Sequence, residues 1–546
     1  MTEPILEPFD PDVSDQARGA GRKAPQASVL IRLAEEAELF HDADGKAFAD
    51  IWVHGHRETW TVDSPRFKDW LTKRFYSEHG RVPSTEAWQG ARGAIEAKAR
   101  FEGPERKVYL RVGEAFGRFF LDLCDDTWRG VEIEANGCWR IVDITAVRFR
   151  RTKGMRPLPV PVRGSIDALR RFINLGSDDD FVLAVSFLFA CLRPKGPYPV
   201  LVLTGEQGSA KSTFSAILRA LVDPNLAPLR ALPREERELV IAANNGHVLA
   251  FDNASHVSPE ISDALCRMAS GSGFATRQLY TDHEEVLFSG GRPVILNGIE
   301  DLLHRPDLAD RAITLTLEAI PDDRRRTEAE LLADFEAQRP AILGALVDAV
   351  ATGLKRLPDT KLDRPPRMAD FATWATACET AFWPAGTFMA AYAGNRATAV
   401  DSVIDSDAVL EAMRAFMAPR DLWEGTATEL LRELGVEAGG LIASAKSWPA
   451  NAKGLSGRLR RGQAPLRAVG IALEFAREGQ SRRRVIAITR NRAASGPEMD
   501  RGSASSPSAA SVARPNGADV STATDANLRP APAAMQAMQA QPTRPG

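Results

Sequence analysis

The distribution of apolar and polar residues predicts alternating strands and helices in the middle of the chain. Four consecutive apolar residues at 200–203 indicate a buried strand, a glycine-rich turn follows, and residues 214–221 have the spacing of an amphipathic helix. Further apolar strands are predicted at 247–251, 292–296 and 312–317. Short apolar strands that alternate with helices are typical of a parallel sheet flanked by helices, so residues 162–325 are predicted to form an α/β domain.

The segments on either side have different patterns. Residues 27–161 combine strand-like runs with two helices that begin after serines, which predicts a separate α+β N-terminal domain of unknown role. Alanine and leucine recur at three- and four-residue steps after residue 326, and we expect a helical bundle at 326–417. The two termini, residues 1–26 and 491–546, are polar and rich in small residues, and both are predicted to be disordered.

Composition limits the kind of protein. A chain of 546 residues is too long for one core, and its net charge of −3 means that any surface for nucleic acid must be local. The 5 cysteines are widely spaced and odd in number, which suits a reducing cytoplasm better than a disulfide framework or a zinc site. The most apolar run, residues 181–192, is shorter than the roughly 20 residues of a membrane span. We expect a cytoplasmic protein without a membrane partner.

The glycine-rich turn has the composition of a phosphate-binding loop. Gly205 and Gly208 let the backbone curl so that its N–H groups point at phosphate oxygens, and the helix N-terminus adds partial positive charge. Lys211 is predicted to meet the β- and γ-phosphates of ATP, and the Ser212 hydroxyl to ligate Mg²⁺. The competing interpretation is a chance turn before a helix. The predicted nucleotide-binding residues are Gly205, Glu206, Gln207, Gly208, Ser209, Ala210, Lys211, Ser212 and Thr213.

One position departs from the usual pattern of such loops. Ala210 stands where a second glycine is expected, so the backbone at that point must accept a Cβ atom.

A second set of polar residues follows the other predicted strands. Asp252 ends the strand at 247–251 and is predicted to hold Mg²⁺ through water. The alternative is an N-cap for the helix that begins near Pro259, but Asp252 precedes that helix by several residues too many. Asn253 stands where many ATPases carry a second acid; an amide can hold a water but cannot take its proton, and Glu206 is a weak substitute. Asn297 is predicted to sense the γ-phosphate, with a turn-forming Asn-Gly as the alternative.

Two arginines precede the last strand. An arginine at this place can reach the nucleotide of a neighbouring subunit and stabilise its transition-state charge. Arg311 is the first candidate and Arg305 the second.

The series G-E-Q-G-S-A-K-S-T, V-L-A-F-D-N, P-V-I-L-N and D-L-A-D-R resembles the P-loop AAA+ ATPase core, and its order and spacing are most similar to superfamily 3 helicases of phages, viruses and mobile elements. The similarity covers about residues 183–320. It implies a homo-oligomeric ring that moves along DNA, and a β-hairpin before the 292–296 strand that tracks the DNA. In that hairpin Arg277 and His283 are the candidate DNA contacts, although its tip is otherwise acidic.

The C-terminal part of the chain carries the clearest local basic pattern. Two short helices followed by two strands at 418–490 predict a winged-helix module, as found after the ATPase in phage primase-helicases. A solvated basic face, or a winged helix for protein contacts, is the alternative. The arginines predicted to bind DNA there are Arg458, Arg460, Arg461, Arg467, Arg482, Arg483 and Arg484.

These patterns together predict an ATP- and Mg²⁺-dependent DNA motor, a replicative helicase or a component of a primase-helicase. Its partners would be single-stranded or duplex DNA and further copies of the same chain. Two other functions stay open: an ATP-controlled DNA-binding switch with slow hydrolysis, favoured by Asn253, and an inactive ATPase fold that only assembles rings.

Overall fold

The chain folds into five sheets and their covering helices in the computed structural model, which describes residues 25–271, 274–277, 285–288, 290–298, 302–303, 305–478 and 483–491. None of the helices within these ranges is long and apolar enough to cross a membrane.

The first sheet is an antiparallel meander packed against three helices. Its core contains Leu30, Phe67, Leu71, Trp88 and Ile95. As predicted, serines cap two of the helices, because Ser64 and Ser84 accept hydrogen bonds from backbone N–H groups three residues on. The elements are α1 (Gln26–Ala34), β1 (Glu38–His41), β2 (Ala47–Val53), β3 (His56–Thr61), α2 (Pro65–His79) and α3 (Thr85–Phe101).

A second antiparallel meander follows, and it packs into the central domain rather than onto the first sheet's helices. Its strands are β4 (Val112–Ala115), β5 (Arg118–Asp122), β6 (Arg129–Ile133) and β7 (Trp139–Asp143). Val112, Leu121 and Val131 belong to the same hydrophobic core as the helices and strands after residue 166. The expected single α+β domain at 27–161 is therefore divided, because an alternating pattern reveals an apolar face but not its partner.

The central domain contains the predicted parallel sheet, with strand order β14-β8-β13-β10-β9. After a 3-10 turn at Ile166–Arg171, its elements are α4 (Asp178–Cys191), β8 (Val200–Gly205), α5 (Lys211–Val222), β9 (Arg230–Ala231), α6 (Glu236–Asn245), β10 (Leu249–Asp252), α7 (Pro259–Ser270), β11 (Phe274–Arg277), β12 (Glu285–Phe288), β13 (Val294–Asn297), α8 (Pro306–Ala309) and β14 (Ala312–Leu317). The antiparallel hairpin β11–β12 lies between α7 and β13, where the sequence predicts one.

Alternate residues of the parallel strands face two different cores. Leu201 and Leu203 pack with α4 and α5 on one side of the sheet, whereas Val200 and Val202 pack with α6 and α7 on the other. Because both faces are covered, the central strands contain runs of consecutive apolar residues, such as 200–203 of β8, which is the pattern that identified them.

The rest of the chain is mainly helical and ends in a small sheet. After short 3-10 turns at Asp322–Arg324 and, later, Leu357–Asp359, the elements are α9 (Glu328–Arg356), α10 (Ala369–Glu379), α11 (Thr387–Asp405), α12 (Ala408–Met417), β15 (Leu422–Gly425), α13 (Ala427–Ala438), α14 (Gly440–Ala443), α15 (Ala452–Arg461), α16 (Gln463–Ala468), β16 (Ile471–Glu478) and β17 (Arg483–Arg490). The last three strands form an antiparallel sheet in the order β15-β17-β16.

Helix α12 packs in the C-terminal core, whereas the sequence pattern predicted that it would belong to the helical bundle. Its Met413 and Phe416 are buried in one cluster with Leu430, Leu459 and Ile488. By packing, the last domain therefore begins near residue 407 instead of residue 418. Helical periodicity marks an apolar stripe on α12 but cannot show which of two neighbouring cores will bury it.

Candidate nucleotide site and basic surface

The predicted phosphate loop connects the carboxyl end of β8 to the amino end of α5. Gly205 has a φ of 143°, and a Cβ atom on it would lie 2.2 Å from the Leu317 carbonyl oxygen, so this position requires glycine. Ala210 has a φ of 64° and a ψ of 29°, a left-handed conformation that costs an L-residue about 1 kcal/mol. The departure from the usual pattern is therefore accommodated with local strain.

Lys211 lies with its ammonium group inside the loop. Its Nζ donates to the carbonyl oxygens of Gly205 at 2.8 Å and Glu206 at 2.7 Å, and lies 3.3 Å from the Ser209 hydroxyl. Burial lowers the pKa of Lys211 from its ordinary value, and the Asp252 carboxylate opposes the shift. The Lys211 ammonium group therefore lies beside backbone N–H groups that could also bind a phosphate anion.

The structure brings Ser212 and Asp252 together from different elements. Ser212 is in the first turn of α5, Asp252 ends β10, and the serine hydroxyl donates to the carboxylate at 2.8 Å. Among the residues that the structure describes there is no cluster of three or more His, Cys, Asp or Glu side chains that would form a metal site by itself. A hydroxyl and a carboxylate do suit Mg²⁺, which keeps several waters and takes further oxygens from substrate phosphates.

Asn253, which is exposed, and Asn297, which is buried, are hydrogen-bonded behind this pair. Asn253 has a φ of 53°, which asparagine tolerates better than most residues, and its backbone N–H donates to Asn297 Oδ1 at 2.8 Å. Asn297 Nδ2 donates to the Ser215 hydroxyl at 3.0 Å, and Asn297 is only 1% exposed. Its contact with a γ-phosphate stays a prediction, whereas these bonds already hold the turn after β10 against α5.

Arg311 and Arg305 flank the short helix α8. Arg311 donates to the Asp307 carbonyl oxygen at 2.7 Å, and Arg305 donates to the Pro259 carbonyl oxygen at 2.8 Å and forms an ion pair with Asp263 at 2.9 Å. Both side chains are therefore held by their own subunit, and their action on a neighbour's nucleotide stays a prediction.

Sequence reasoning missed Asn174, which braces the phosphate loop. Its Nδ2 donates to the Ser209 carbonyl oxygen at 3.2 Å and to the Glu318 carbonyl oxygen at 2.7 Å. The segment before α4, the loop and the end of β14 are thereby tied together. An isolated asparagine in an irregular segment gives no local signal for such a contact.

It also missed a buried ion pair at the opposite end of α5. Arg111 Nε donates to Asp223 Oδ1 at 3.1 Å, and both side chains are at most 1% exposed. The other Asp223 oxygen accepts from the backbone N–H groups of His247 and Val248. Burial alone would raise the pKa of Asp223, but Arg111, His247 and Arg219 outweigh it and keep that pKa below its ordinary value.

The predicted DNA-binding arginines of the C-terminal domain have different surroundings. Arg458 donates to both carboxylate oxygens of Asp407, at 3.0 and 2.8 Å, and to the Ser447 carbonyl oxygen. These bonds hold it within its own domain, and its contact with DNA stays a prediction. Arg461 lines a cleft of about 650 Å³ that Arg305 and Asp307 also line. A sequence pattern could not show that one side of α15 turns toward α12 and α8.

Four further arginines of this domain, Arg460, Arg467, Arg477 and Arg484, are exposed. Arg460 stacks on the Phe475 ring at 4.2 Å, Arg477 and Arg484 are cross-strand partners in the β16–β17 hairpin, and Arg467 is on α16. His283 and Arg482 lie outside the described residues, as do the side chains of Arg277 and Arg483.

Residues 166–405 match the family model described as "Actinomycete integrative conjugative element replication protein", and residues 409–506 match the model of its C-terminal domain, "AICE RepA C-terminal domain". Together the two matches cover more than half of the 546 residues. The chain belongs to this family of replication proteins. The two family models meet where α12 of the replication protein begins, in agreement with the packing of that helix in the C-terminal core.

Two solved structures illustrate the more distant similarities of the replication protein. "The A form apo structure of NrS-1 C terminal region-CTR" is 11% identical, covers 85% of this chain and 99% of its own, and has a TM-score of 0.38. "SCCmec type IV Cch - active helicase" is 12% identical, covers 83% and 92%, and has a TM-score of 0.43. Scores below about 0.5 do not establish a shared fold. No curated protein matches the sequence significantly.

Proposed function

We propose that this replication protein is an ATP-hydrolysing DNA motor that acts as the replicative helicase of a mobile element. The observation that carries the proposal is the 2.8 Å hydrogen bond between Ser212 and Asp252, beside an ammonium group enclosed by a glycine-rich loop. A hydroxyl at a helix N-terminus and a carboxylate at the end of the neighbouring strand are what MgATP requires. Membership of a replication-protein family gives this nucleotide site a role in DNA replication.

Each residue of the site has a defined part in the proposed reaction. Lys211 would neutralise charge on the β- and γ-phosphates, while Ser212 would hold Mg²⁺ directly and Asp252 would hold it through water. When bound, the ion would supply positive charge that offsets the negative charge of the phosphates. Asn253 would orient the attacking water without accepting its proton. Arg311 would complete the site of an adjacent copy, which requires a homo-oligomeric ring.

The C-terminal domain would supply duplex or single-stranded DNA binding. Its order of helix α12, strand β15, helices α13 to α16 and the β16–β17 hairpin supports a winged helix, in which α14 and α16 are short additional turns. We assign the DNA backbone contacts to Arg460, Arg477 and Arg484, because these arginines are exposed on α15 and the adjacent hairpin. Their charge acts locally, since the whole chain carries a net charge of −3.

Asn253 favours a second candidate function, an ATP-controlled DNA-binding switch. In many motors a carboxylate at this position activates the water, and an asparagine with left-handed backbone replaces it here. Slow hydrolysis would then time DNA release instead of driving movement.

Hydrolysis of ATP by the full chain, with and without single-stranded DNA, separates the two candidates. Strong stimulation by DNA that is lost in both Lys211→Ala and Arg311→Ala supports an oligomeric motor and leads to a strand-displacement assay. Slow hydrolysis that DNA does not change would reject the motor and leave the switch. No ATP binding by the wild-type protein would reject both.

A further inference from the structure

The chain between β14 and α9 passes over the phosphate loop and contains three consecutive arginines, residues 324–326. The middle one, Arg325, lies against the loop: its Nη2 atom is 3.5 Å from the point that a Cβ atom on Gly208 would occupy. Gly208 lies in the predicted phosphate loop, whose backbone N–H groups would surround the phosphates. A guanidinium therefore borders the place where the triphosphate would bind.

The other nitrogens of Arg325 are held by its own segment. Nε donates to the Ile320 carbonyl oxygen at 3.2 Å, and Nη1 lies 2.9 Å from the Asp322 carboxylate. Nη2 is the nitrogen left to face the loop. The guanidinium is thus oriented before any anion binds, which reduces the entropy lost when it forms a further contact.

The neighbouring arginines lie in other surroundings. Arg326 forms an ion pair with Asp334 of α9 at 2.6 Å, so it points away from the loop. Arg324 is exposed, and no partner for it is found among the described residues. The three residues have the same charge and nearly the same place in the chain, but within the described part of the chain Arg325 is the one found beside Gly208.

The position of this segment is fixed relative to the loop. Asn174 bonds both the Ser209 carbonyl oxygen in the loop and the Glu318 carbonyl oxygen at the end of β14. Gly205 also packs directly against the Leu317 backbone, as its lack of room for a Cβ atom shows. The segment that carries Arg325 therefore starts from a point that is rigidly attached to the nucleotide site.

We propose that Arg325 contacts the β- and γ-phosphates of a nucleotide bound in its own subunit and stabilises the charge that develops on them during hydrolysis. This assignment rests on the proposed ATPase function and adds to it an arginine that acts within one subunit, in contrast to Arg311, which would act between subunits. A planar, permanently charged guanidinium offers two parallel donors to phosphate oxygens, which a lysine does not.

The first test compares single variants in ATP binding and in steady-state hydrolysis. Arg325→Ala should lower kcat at least tenfold, Arg325→Lys should recover only part of it, and the matched control Arg324→Ala should stay within twofold of wild type. The thermal midpoint without nucleotide should not change in any of them, because the Arg325 side chain is 57% exposed. Equal activities of Arg325→Ala and Arg324→Ala would overturn the assignment.

Mixed oligomers test whether the arginine acts within its own subunit. Lys211→Ala protein has a defective loop but an intact Arg311, so mixing it with Arg311→Ala protein should restore some hydrolysis. Mixing Lys211→Ala with Arg325→Ala should restore none, because neither subunit then has a complete site of its own. Restoration in the second mixture would show that Arg325 acts on a neighbour.

The same measurements separate this inference from the proposed function. If wild-type protein binds no ATP, the function fails and the inference fails with it. If wild-type protein binds ATP without hydrolysing it, the ATP affinities of Arg325→Ala and Arg324→Ala still decide the role of Arg325. If Lys211→Ala abolishes hydrolysis and Arg325→Ala does not change it, the function stands and the inference is wrong.

Discussion

At the residue scale, two residues, Ala210 and His247, show how tertiary structure maintains a backbone conformation or a protonation state that is locally unfavourable. Ala210 has left-handed backbone because the chain must enter α5 directly from the loop. Burial beside Asp223 lowers the pKa of His247 to about 4 and so extends the neutral form of this histidine to lower pH. In both cases the surrounding structure maintains a conformation or a protonation state that the residue by itself would adopt less readily.

Ala210→Gly should stabilise the protein by about 1 kcal/mol, because glycine adopts left-handed backbone without a clash. The thermal midpoint should rise and ATP binding should be kept. The control is Ala216→Gly inside α5, which should lower the midpoint since glycine in a helix interior costs about 1 kcal/mol. A lower midpoint for Ala210→Gly would contradict the strain at this position.

The stability of the protein should depend on the protonation of His247. Burial lowers the pKa of this histidine to about 4; the neighbouring charges are Asp223, which opposes the shift, and Arg292 and Arg111, and the Tyr198 ring packs beside it. Between pH 6.5 and 4 the unfolded histidine binds a proton and the folded one does not. Stability must therefore fall as the pH is lowered through this range.

The measurement is urea unfolding of wild type and His247→Gln at several pH values. Glutamine can still donate to the Cys191 carbonyl oxygen, which His247 Nε2 contacts at 2.7 Å. From pH 6.5 to pH 4 the wild type should lose up to about 3 kcal/mol more than the variant. Parallel curves for the two proteins would mean that His247 does not titrate differently on unfolding.

At the element scale, the nucleotide site depends on contacts between elements that are distant in sequence. The buried pair Arg111–Asp223 joins the second antiparallel sheet to the end of α5 and the start of β10, the two elements that carry Lys211 and Asp252 at their other ends. Strand β14 lies at the edge of the parallel sheet. Asn395 of α11 accepts a hydrogen bond from the Thr314 backbone N–H and donates one to the Thr314 carbonyl oxygen, so these edge groups do not remain unpaired.

Arg111→Ala should destabilise the protein by about 3–5 kcal/mol, because it leaves the Asp223 carboxylate buried without its partner. Adding Asp223→Asn should recover part of the loss, since the uncompensated charge is then removed. The control Arg118→Ala should cost much less, as that arginine is 44% exposed. Chemical unfolding measures all three; a loss for Arg111→Ala no larger than for the control would be inconsistent with a buried pair.

Two arginines of the C-terminal domain should respond in opposite ways. Arg484→Ala should weaken DNA binding. The slope of a plot of log K for DNA binding against log salt concentration should become less steep by about one unit. Arg458→Ala should lower the thermal midpoint and leave that slope unchanged, because Arg458 bonds Asp407 at the start of α12. Fluorescence anisotropy with labelled DNA at several salt concentrations tests both; a reduced slope for Arg458→Ala would support a DNA contact of this residue.

At the scale of the whole molecule, the core of the central domain extends further toward the N-terminus than the family match suggests. The match begins at residue 166, but strands β4–β7 pack into the core of the parallel sheet, and Trp139 donates to Asp348 of α9 at 2.7 Å. The first sheet and its helices have a hydrophobic core of their own. The boundary of the central domain, by packing, therefore lies between α3 and β4.

Deletion of residues 1–103 should leave a soluble protein that still binds ATP. Deletion of residues 1–161 should give an aggregating protein, since it removes the second sheet and exposes the core residues that the sheet covers. Size-exclusion chromatography and ATP binding compare the two. Equal solubility and equal ATP affinity would show that β4–β7 are dispensable for the ATPase core.

The sequence by itself determined the parallel sheet, the glycine-rich loop after β8 and the residues that end the strands, because strands buried on both faces and glycines in tight turns have local patterns. Only the tertiary structure decided which apolar faces meet, as for β4–β7 and α12, and how side chains are used, as for Arg458, Asn174 and Arg325. An apolar stripe in the sequence predicts a buried surface, and a run of arginines predicts a local positive charge. The partner of each depends on contacts between residues far apart in the chain, which no local pattern encodes.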